Sequence, residues 1–282
     1  MMNDSETIRV LPIDQRQLRI ALPPRNKEAH KGNFGHTLII GGDYGMAGAA
    51  LMAAEACART GSGKVSVATH AEHIPAFIAR RPELMVHAVE TPQALLPLLS
   101  LANVVVIGPG LGKTAWSHAL LKTVLDRALP LVMDADALNM LAQGELGEQR
   151  NNWILTPHPG EAARLLGLST EQIEADRPQA ALSLQQRYQG VSVLKGMGSL
   201  IACPDALYQC QRGNPGMASG GMGDVLSGII GGLLAQGLSL EDAACFGVEL
   251  HGAAADIAAK QDGQRGLLAT DLLLPLRTLL NP

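Results

Sequence analysis

Short apolar and β-branched runs recur at residues 37–40, 64–68, 104–107, 131–133, 153–155 and 191–194, and longer stretches of mixed polarity separate them. Strands covered on both faces by helices read as continuous apolar runs, so this alternation predicts βαβ units on a largely parallel sheet. Residues 49–60 read as a helix stopped by Gly61, and 116–127 as another. Ser169 with Gln172 three residues later forms a capping box that opens a helix toward Tyr188. After residue 194 the pattern changes. Runs at 200–202 and 206–209 flank Pro204-Asp205 and predict an antiparallel hairpin, and Gly-rich helices finish the chain. With no internal repeat, low-complexity tract or linker, residues 30–282 read as one domain. Residues 1–29, which hold Pro12, Pro23 and Pro24, read as an N-terminal lead or arm.

Nothing between Glu90 and Lys113 is charged, and a stretch of ~20 apolar residues can cross a bilayer. Pro97, Asn103 and Gly108-Pro109 interrupt this one, which predicts a short amphipathic helix followed by a buried strand and no membrane span.

Composition sharpens the picture in three ways. Only 17% of the 282 residues are charged and 3% aromatic, so Ala and Gly must do much of the packing, and helices should lie close on the sheet. A net charge of −4 without a basic stripe argues against nucleic acid as a partner, and any anionic ligand must be held by backbone amides and one or two placed cations. Cys57, Cys203, Cys210 and Cys245 form no CxxC pair and read as buried thiols. Residues 1–9 carry Asp4 and Glu6 and no apolar core, unlike a secretory signal, so cytoplasm is the expected location.

Candidate chemistry concentrates at Asn214-Pro-Gly-Met-Ala-Ser-Gly-Gly-Met-Gly-Asp224, directly before the apolar helical run 225–234. Small residues at a helix start leave N–H groups unblocked, and with the helix dipole they make an anion site; Gly220, Gly221 and Gly223 would form the cradle. A carboxylate at Asp224 would be repelled by phosphate unless it takes a proton from an attacking hydroxyl. The plainer alternative is a tight loop with Asp224 as a helix cap.

Three further clusters fall at predicted strand ends, where ligands bind in doubly wound sheets. In Thr156-Pro-His-Pro-Gly-Glu161, His158 could contact substrate and Glu161 could orient Mg²⁺ through water, or both could cap the next helix. In Lys195-Gly-Met-Gly-Ser199, the glycines allow close backbone approach and the lysine can neutralise phosphate oxygens, or the segment is a β-turn. Asp134-Ala-Asp136-Ala-Leu-Asn139 offers two carboxylates for a metal, for the sheet edge or for a helix cap. Gly108-Pro-Gly-Leu-Gly-Lys-Thr114 fails the Walker spacing and Gly41-Gly-Asp-Tyr-Gly45 fails GxGxxG; both remain candidates to touch the same ligand from the other side.

Taken in order, Gly41-Gly-Asp with Gly45 and Ala47, the loop 108–112, the segment 134–139, Thr156 to Glu161, Lys195-Gly196 and Asn214 to Asp224 resemble the ADP-dependent NAD(P)H-hydrate dehydratase family over about residues 30–280. The resemblance implies a ribokinase-like α/β/α sandwich with a mainly parallel central sheet. It implies conversion of the S epimer of NADHX or NADPHX to NADH or NADPH, with ADP as co-substrate giving AMP and phosphate, and Mg²⁺ as cofactor. Carried over, Ala47, Gly110, His158 and Asp224 are similar to substrate contacts. Lys195, Gly196, Met197, Gly198, Ser199 and Gly223 are similar to nucleotide contacts, with Asn214 placed beside them. The catalytic set is expected to be Asp224 with the amides of Gly221, Met222 and Gly223. Relatives suggest a homo-oligomer, a tetramer in particular, and functional coupling to an epimerase of the same hydrates. A small-molecule kinase of the same superfamily and a nucleotide-sensing protein without chemistry are the rival readings.

Overall fold

The computed structural model describes residues 8–14, 17, 20–144 and 149–281; of the expected N-terminal arm, residues 1–7, 15, 16, 18 and 19 lie outside the described residues. The strands are β1 (Val10–Pro12), β2 (His36–Ile40), β3 (Lys64–Thr69), β4 (Met85–Ala88), β5 (Val104–Ile107), β6 (Leu131–Met133), β7 (Trp153–Leu155), β8 (Val191–Leu194), β9 (Leu200–Ala202) and β10 (Leu207–Gln209). They form one sheet in the order β1-β10-β9-β8-β7-β6-β5-β2-β3-β4. Every pairing from β4 across to β8 is parallel, and β9 pairs antiparallel with both β8 and β10, as the hairpin expectation requires. Strand β1 of the arm adds a parallel edge to β10.

The helices are α1 (Ala47–Thr60), α2 (Ile74–Arg80), α3 (Pro92–Leu101), α4 (Ala115–Leu125), α5 (Ala135–Leu141), α6 (Pro159–Leu166), α7 (Thr170–Ala175), α8 (Arg177–Tyr188), α9 (Met222–Ala235), α10 (Leu240–Asp262) and α11 (Leu273–Leu279). Alternate strand residues face opposite layers. Ile39, Val106, Val132, Ile154 and Val193 join the core under α1, α9, α10 and α11. Leu38, Val105, Ile107, Met133 and Leu155 join a second core under α3, α4, α5, α6 and α8. The α/β/α sandwich expected from the chain is therefore present. All four cysteines are buried and unpaired.

Small residues set the spacing of the central helices. An added Cβ at Gly228 of α9 would run into the Ala53 carbonyl of α1, and one at Gly232 would come within 2.9 Å of the Cys57 carbonyl oxygen. These contacts share one offset, so α1 and α9 run side by side in the same direction along this stretch. The uncharged stretch becomes α3 and buried β5, and no described helix is long and apolar enough to cross a membrane.

Some boundaries differ from the sequence reading. The run from Ser169 to Tyr188 is two helices, because Asp176 (φ −145) ends α7 and caps α8 through the Gln179 amide. Helix α1 begins two residues earlier than expected and α4 ends two residues earlier. Strands β2 and β5 are neighbours although β3 and β4 intervene in sequence. The order in which strands are added to the sheet reverses there, and such a switch point is the place where doubly wound sheets bind ligands.

Candidate functional site

The loops that leave β6, β7 and β8 meet the start of α9. Lys195, following β8, donates from Nζ to Asp134 Oδ1 at 2.7 Å and lies 3.8 Å from Glu161 Oε2. Asp134 is 1% exposed and stands at the N-cap position of α5, yet its side chain makes no capping bond. It turns instead toward Lys195, which removes the helix-cap alternative; its Oδ2 has no hydrogen-bond partner among the described residues. Asp136 accepts from the Gly112 amide at 2.9 Å, tying the β6 loop to the β5 loop.

Helix α9 opens over this pair. Gly221 is its N-cap with φ 90, a left-handed conformation that glycine adopts without strain, and as glycine it offers no side chain to cap the first turn. A Cβ on Gly223 would sit 3.2 Å from Lys195 Nζ and 3.6 Å from Asp134 Oδ2, so the missing side chain leaves room there for a ligand. The amides of Met222 and Gly223 with the Lys195 ammonium make an anion site of the kind a phosphoryl group requires.

Asp224 shares this pocket. Burial, and after it the negative charge of Asp134, push its carboxyl up to about 7 against the pull of Lys195. A carboxyl that ionises near neutrality is suited to accept a proton from a hydroxyl. Burial likewise pushes Glu161 up to about 7, with Lys195 opposing. Burial also works against the charge of Lys195, but Asp134 and Glu161 outweigh it and hold its pKa above the usual value.

His158 and Glu161 form the capping box of α6: the Gly160 amide donates to His158 Nδ1 at 3.0 Å, and the His158 amide to Glu161 Oε2 at 2.8 Å. Both capping roles named above are thus present, while the half-exposed His158 ring, its pKa lowered first by burial and then by Lys195, stays close to the ion pair. Lys195 to Ser199 is the turn between β8 and β9, closed by Ser199 Oγ donating to the Gly196 carbonyl at 3.1 Å. Gly196 and Gly198 have φ 146 and 65, and Met197 is 98% exposed.

The two glycine loops of the switch point also meet. The amides of Gly42 and Asp43 donate to the carbonyls of Pro109 and Gly110, at 3.0 and 2.6 Å. A Cβ on Gly110 would meet the Met46 carbonyl and the Ala49 side chain, so this loop lies against the start of α1 that carries Ala47, and Asp136 bonds the same loop at Gly112. Asn214 is placed apart: it caps its own turn through the Gly216 amide and donates to Asp256 of α10.

Three features escaped the sequence reading. Arg177 lies against Gly196, where a Cβ would meet its guanidinium. His251 of α10 is 7% exposed with Nε2 unpartnered among the described residues, and burial together with the charge of Lys195 brings it down to about 4. His70 Nε2 and Nδ1 lie 3.0 and 2.8 Å from Asp43 and Glu90. None of these belongs to a compact motif, so no local spacing marks them.

Among the described residues no three His, Cys, Asp or Glu side chains are arranged to ligate a metal directly. The residues do fit Mg²⁺, which keeps several waters and uses one or two carboxylates plus phosphate oxygens. The free Oδ2 of Asp134 and the crowded acids around one lysine are suited to added positive charge.

Comparison with known proteins identifies the family. A family model described as NAD(P)H-hydrate dehydratase matches residues 37–277. A Coxiella burnetii bifunctional NAD(P)H-hydrate repair enzyme is 60% identical over 262 residues, covering 93% of this chain and 53% of that protein. The chain spans about half the length of such bifunctional relatives. A Neisseria meningitidis ADP-dependent (S)-NAD(P)H-hydrate dehydratase is 42% identical over 268 residues, 91% of this chain and 88% of that one. The solved Bacillus subtilis ADP/ATP-dependent NAD(P)H-hydrate dehydratase, co-crystallised with ATP and Mg²⁺, superposes with a TM-score of 0.84 at 30% identity, covering 97% and 98% of the two chains. With the model covering most of its length and these likenesses at high coverage, the chain belongs to the NAD(P)H-hydrate dehydratase family.

Proposed function

We propose that the protein dehydrates the S epimer of NADHX and NADPHX at the expense of ADP, giving NADH or NADPH with AMP and phosphate. The observation that carries this reading is Asp224, a carboxyl ionising near pH 7 in the first turn of a helix whose N-cap is glycine, in the same pocket as the half-buried Lys195. Asp224 removes the proton from the ring hydroxyl, whose oxygen attacks the terminal phosphorus of ADP as the bond to the bridging oxygen breaks and AMP leaves. Phosphate then departs from the ring carbon with its electron pair, and loss of a proton from the neighbouring carbon forms the ring double bond. Phosphate is a far better leaving group than hydroxide.

The amides of Gly221, Met222 and Gly223 and the Lys195 ammonium are aimed where charge develops on the moving phosphoryl group. The turn from Gly196 to Ser199 accepts the nucleotide from the β8 side, with Asn214 fixing the loop that carries the cradle. Ala47, Gly110 and His158 line the approach of the hydrate. Asp134, and Glu161 through water, are the groups that would hold Mg²⁺, which when bound adds positive charge against the phosphate oxygens. The longer relatives are named bifunctional, and this chain corresponds to their dehydrating half, working beside an epimerase of the same hydrates.

The test is an assay on hydrated NADH with ADP, ATP or no nucleotide, following reduced-nicotinamide absorbance and free phosphate together. The reading requires both to rise in step and only with nucleotide. Asp224→Asn should lower turnover about 10²- to 10⁴-fold, the usual contribution of a general base, with ADP binding little changed. A stable phosphorylated product without free phosphate would identify a kinase instead.

A further inference from the structure

The substrate of this reaction is long, and only one end of it reacts. The reacting ring must lie at Asp224, which leaves the adenosine half of the dinucleotide hydrate to be accommodated elsewhere. ADP approaches from the β8 side, and β8 and β2 are separated by four strand steps (β8-β7-β6-β5-β2), roughly 19 Å at ~4.8 Å per step. Helix α9 packs over β2, β5 and β6, and Gly223 in its first turn faces Lys195 after β8 and Asp134 after β6, which leaves the β2 end open beyond it. The unreacting half of the dinucleotide is thereby directed toward β2.

At that end stands a built aromatic stack. Trp116 lies against His70 with ring centroids 4.2 Å apart, and His70 lies against Tyr44 at 4.3 Å and 16° between planes. His70 cannot rotate freely, because Asp43 and Glu90 hold both ring nitrogens and it is 4% exposed. The Tyr44 amide donates to Asp43 Oδ1 at 2.8 Å, which fixes the loop from below. Tyr44 is nonetheless 59% exposed, with neighbouring Met46 39% exposed. Tyr44 is thus a large ring braced from behind and open in front, three residues before Ala47.

We propose that the outer face of Tyr44 is a stacking subsite for the purine of the NADHX or NADPHX adenosine half, a specificity element that selects dinucleotide over mononucleotide hydrates. This rests on the dehydratase reading above. Base–aromatic stacking is worth roughly tenfold or more in binding for each base.

The experiment compares Tyr44→Ala, Tyr44→Phe and the parent on two substrates, hydrated NADH and the hydrate of reduced nicotinamide mononucleotide, which lacks the adenosine. Calorimetric titration with NADH supplies a readout independent of turnover. The expected result is a KM for hydrated NADH raised about tenfold in Tyr44→Ala, with kcat and the KM for ADP little changed. NADH binding should weaken in parallel, the mononucleotide hydrate should show no difference, and Tyr44→Phe should match the parent. An equal loss on both substrates, an unchanged KM, or a rise in the KM for ADP instead would overturn the subsite. Failure of the parent to turn over either hydrate would strike the dehydratase reading itself.

Discussion

Replacing Asp224 by Asn should make the protein more stable at alkaline pH while disabling it. The carboxyl ionises at about 7 in the fold against a usual 3.8, because burial and Asp134 oppose its charge. A group with its folded pKa raised favours the fold while neutral, and that advantage is complete below 3.8 and lost as pH rises through about 7. At 1.36 kcal/mol per pH unit, the full interval corresponds to at most about 4 kcal/mol of disfavoured charge above pH 7. Asn is nearly isosteric and carries no charge, so it escapes this penalty. Urea unfolding of both proteins from pH 4 to pH 8 should show the two nearly equal at pH 4, with Asp224→Asn pulling ahead through pH 5 to 7 and holding its lead at pH 8. Because Glu161 titrates in both proteins, the difference between them reports Asp224. A gap that does not change with pH, or a parent that is more stable at pH 8, would refute the placement of this carboxyl in a buried acidic pocket.

Two other substitutions probe the surrounding structure. Lys195→Ala leaves the buried Asp134 without its cation, a change that costs about 3–5 kcal/mol when a buried pair is broken; the urea midpoint should fall and ADP binding by calorimetry should weaken, and unchanged ADP affinity would remove Lys195 from the nucleotide site. Gly228→Ala puts a methyl against the Ala53 carbonyl and forces α9 from α1, so it should lower stability by about 1–3 kcal/mol, and a melting temperature equal to the parent's would show that the helices are not so tightly spaced.

Much of this was readable in the chain because the informative residues cluster. Parallel strands buried on both faces, such as Val104–Ile107, announce themselves as apolar runs, and Asn214 to Asp224 places its glycines and carboxylate within one loop. Strand β4, Met85–Ala88, gave no such signal: it is an edge strand with Met85 exposed, so burial does not enforce the apolar pattern. Asp134 was ambiguous for another reason. An acid before a helix usually caps it, and only the fold brings Lys195, 61 residues away, close enough to redirect the side chain. The Asp43–His70–Glu90 set likewise joins the ends of three neighbouring parallel strands, β2, β3 and β4, a contact made only when those strands pair and without local spacing.

The central claim is that the hydrate's own hydroxyl oxygen is phosphorylated in the Asp224 pocket before it leaves. NADHX carrying ¹⁸O in that hydroxyl, turned over with unlabelled ADP in ordinary water, tests it by mass spectrometry of the released phosphate. Phosphate bearing one ¹⁸O per NADH formed is the predicted result. Unlabelled phosphate, with the label found in water, would mean that elimination and nucleotide hydrolysis are separate events and would contradict the account.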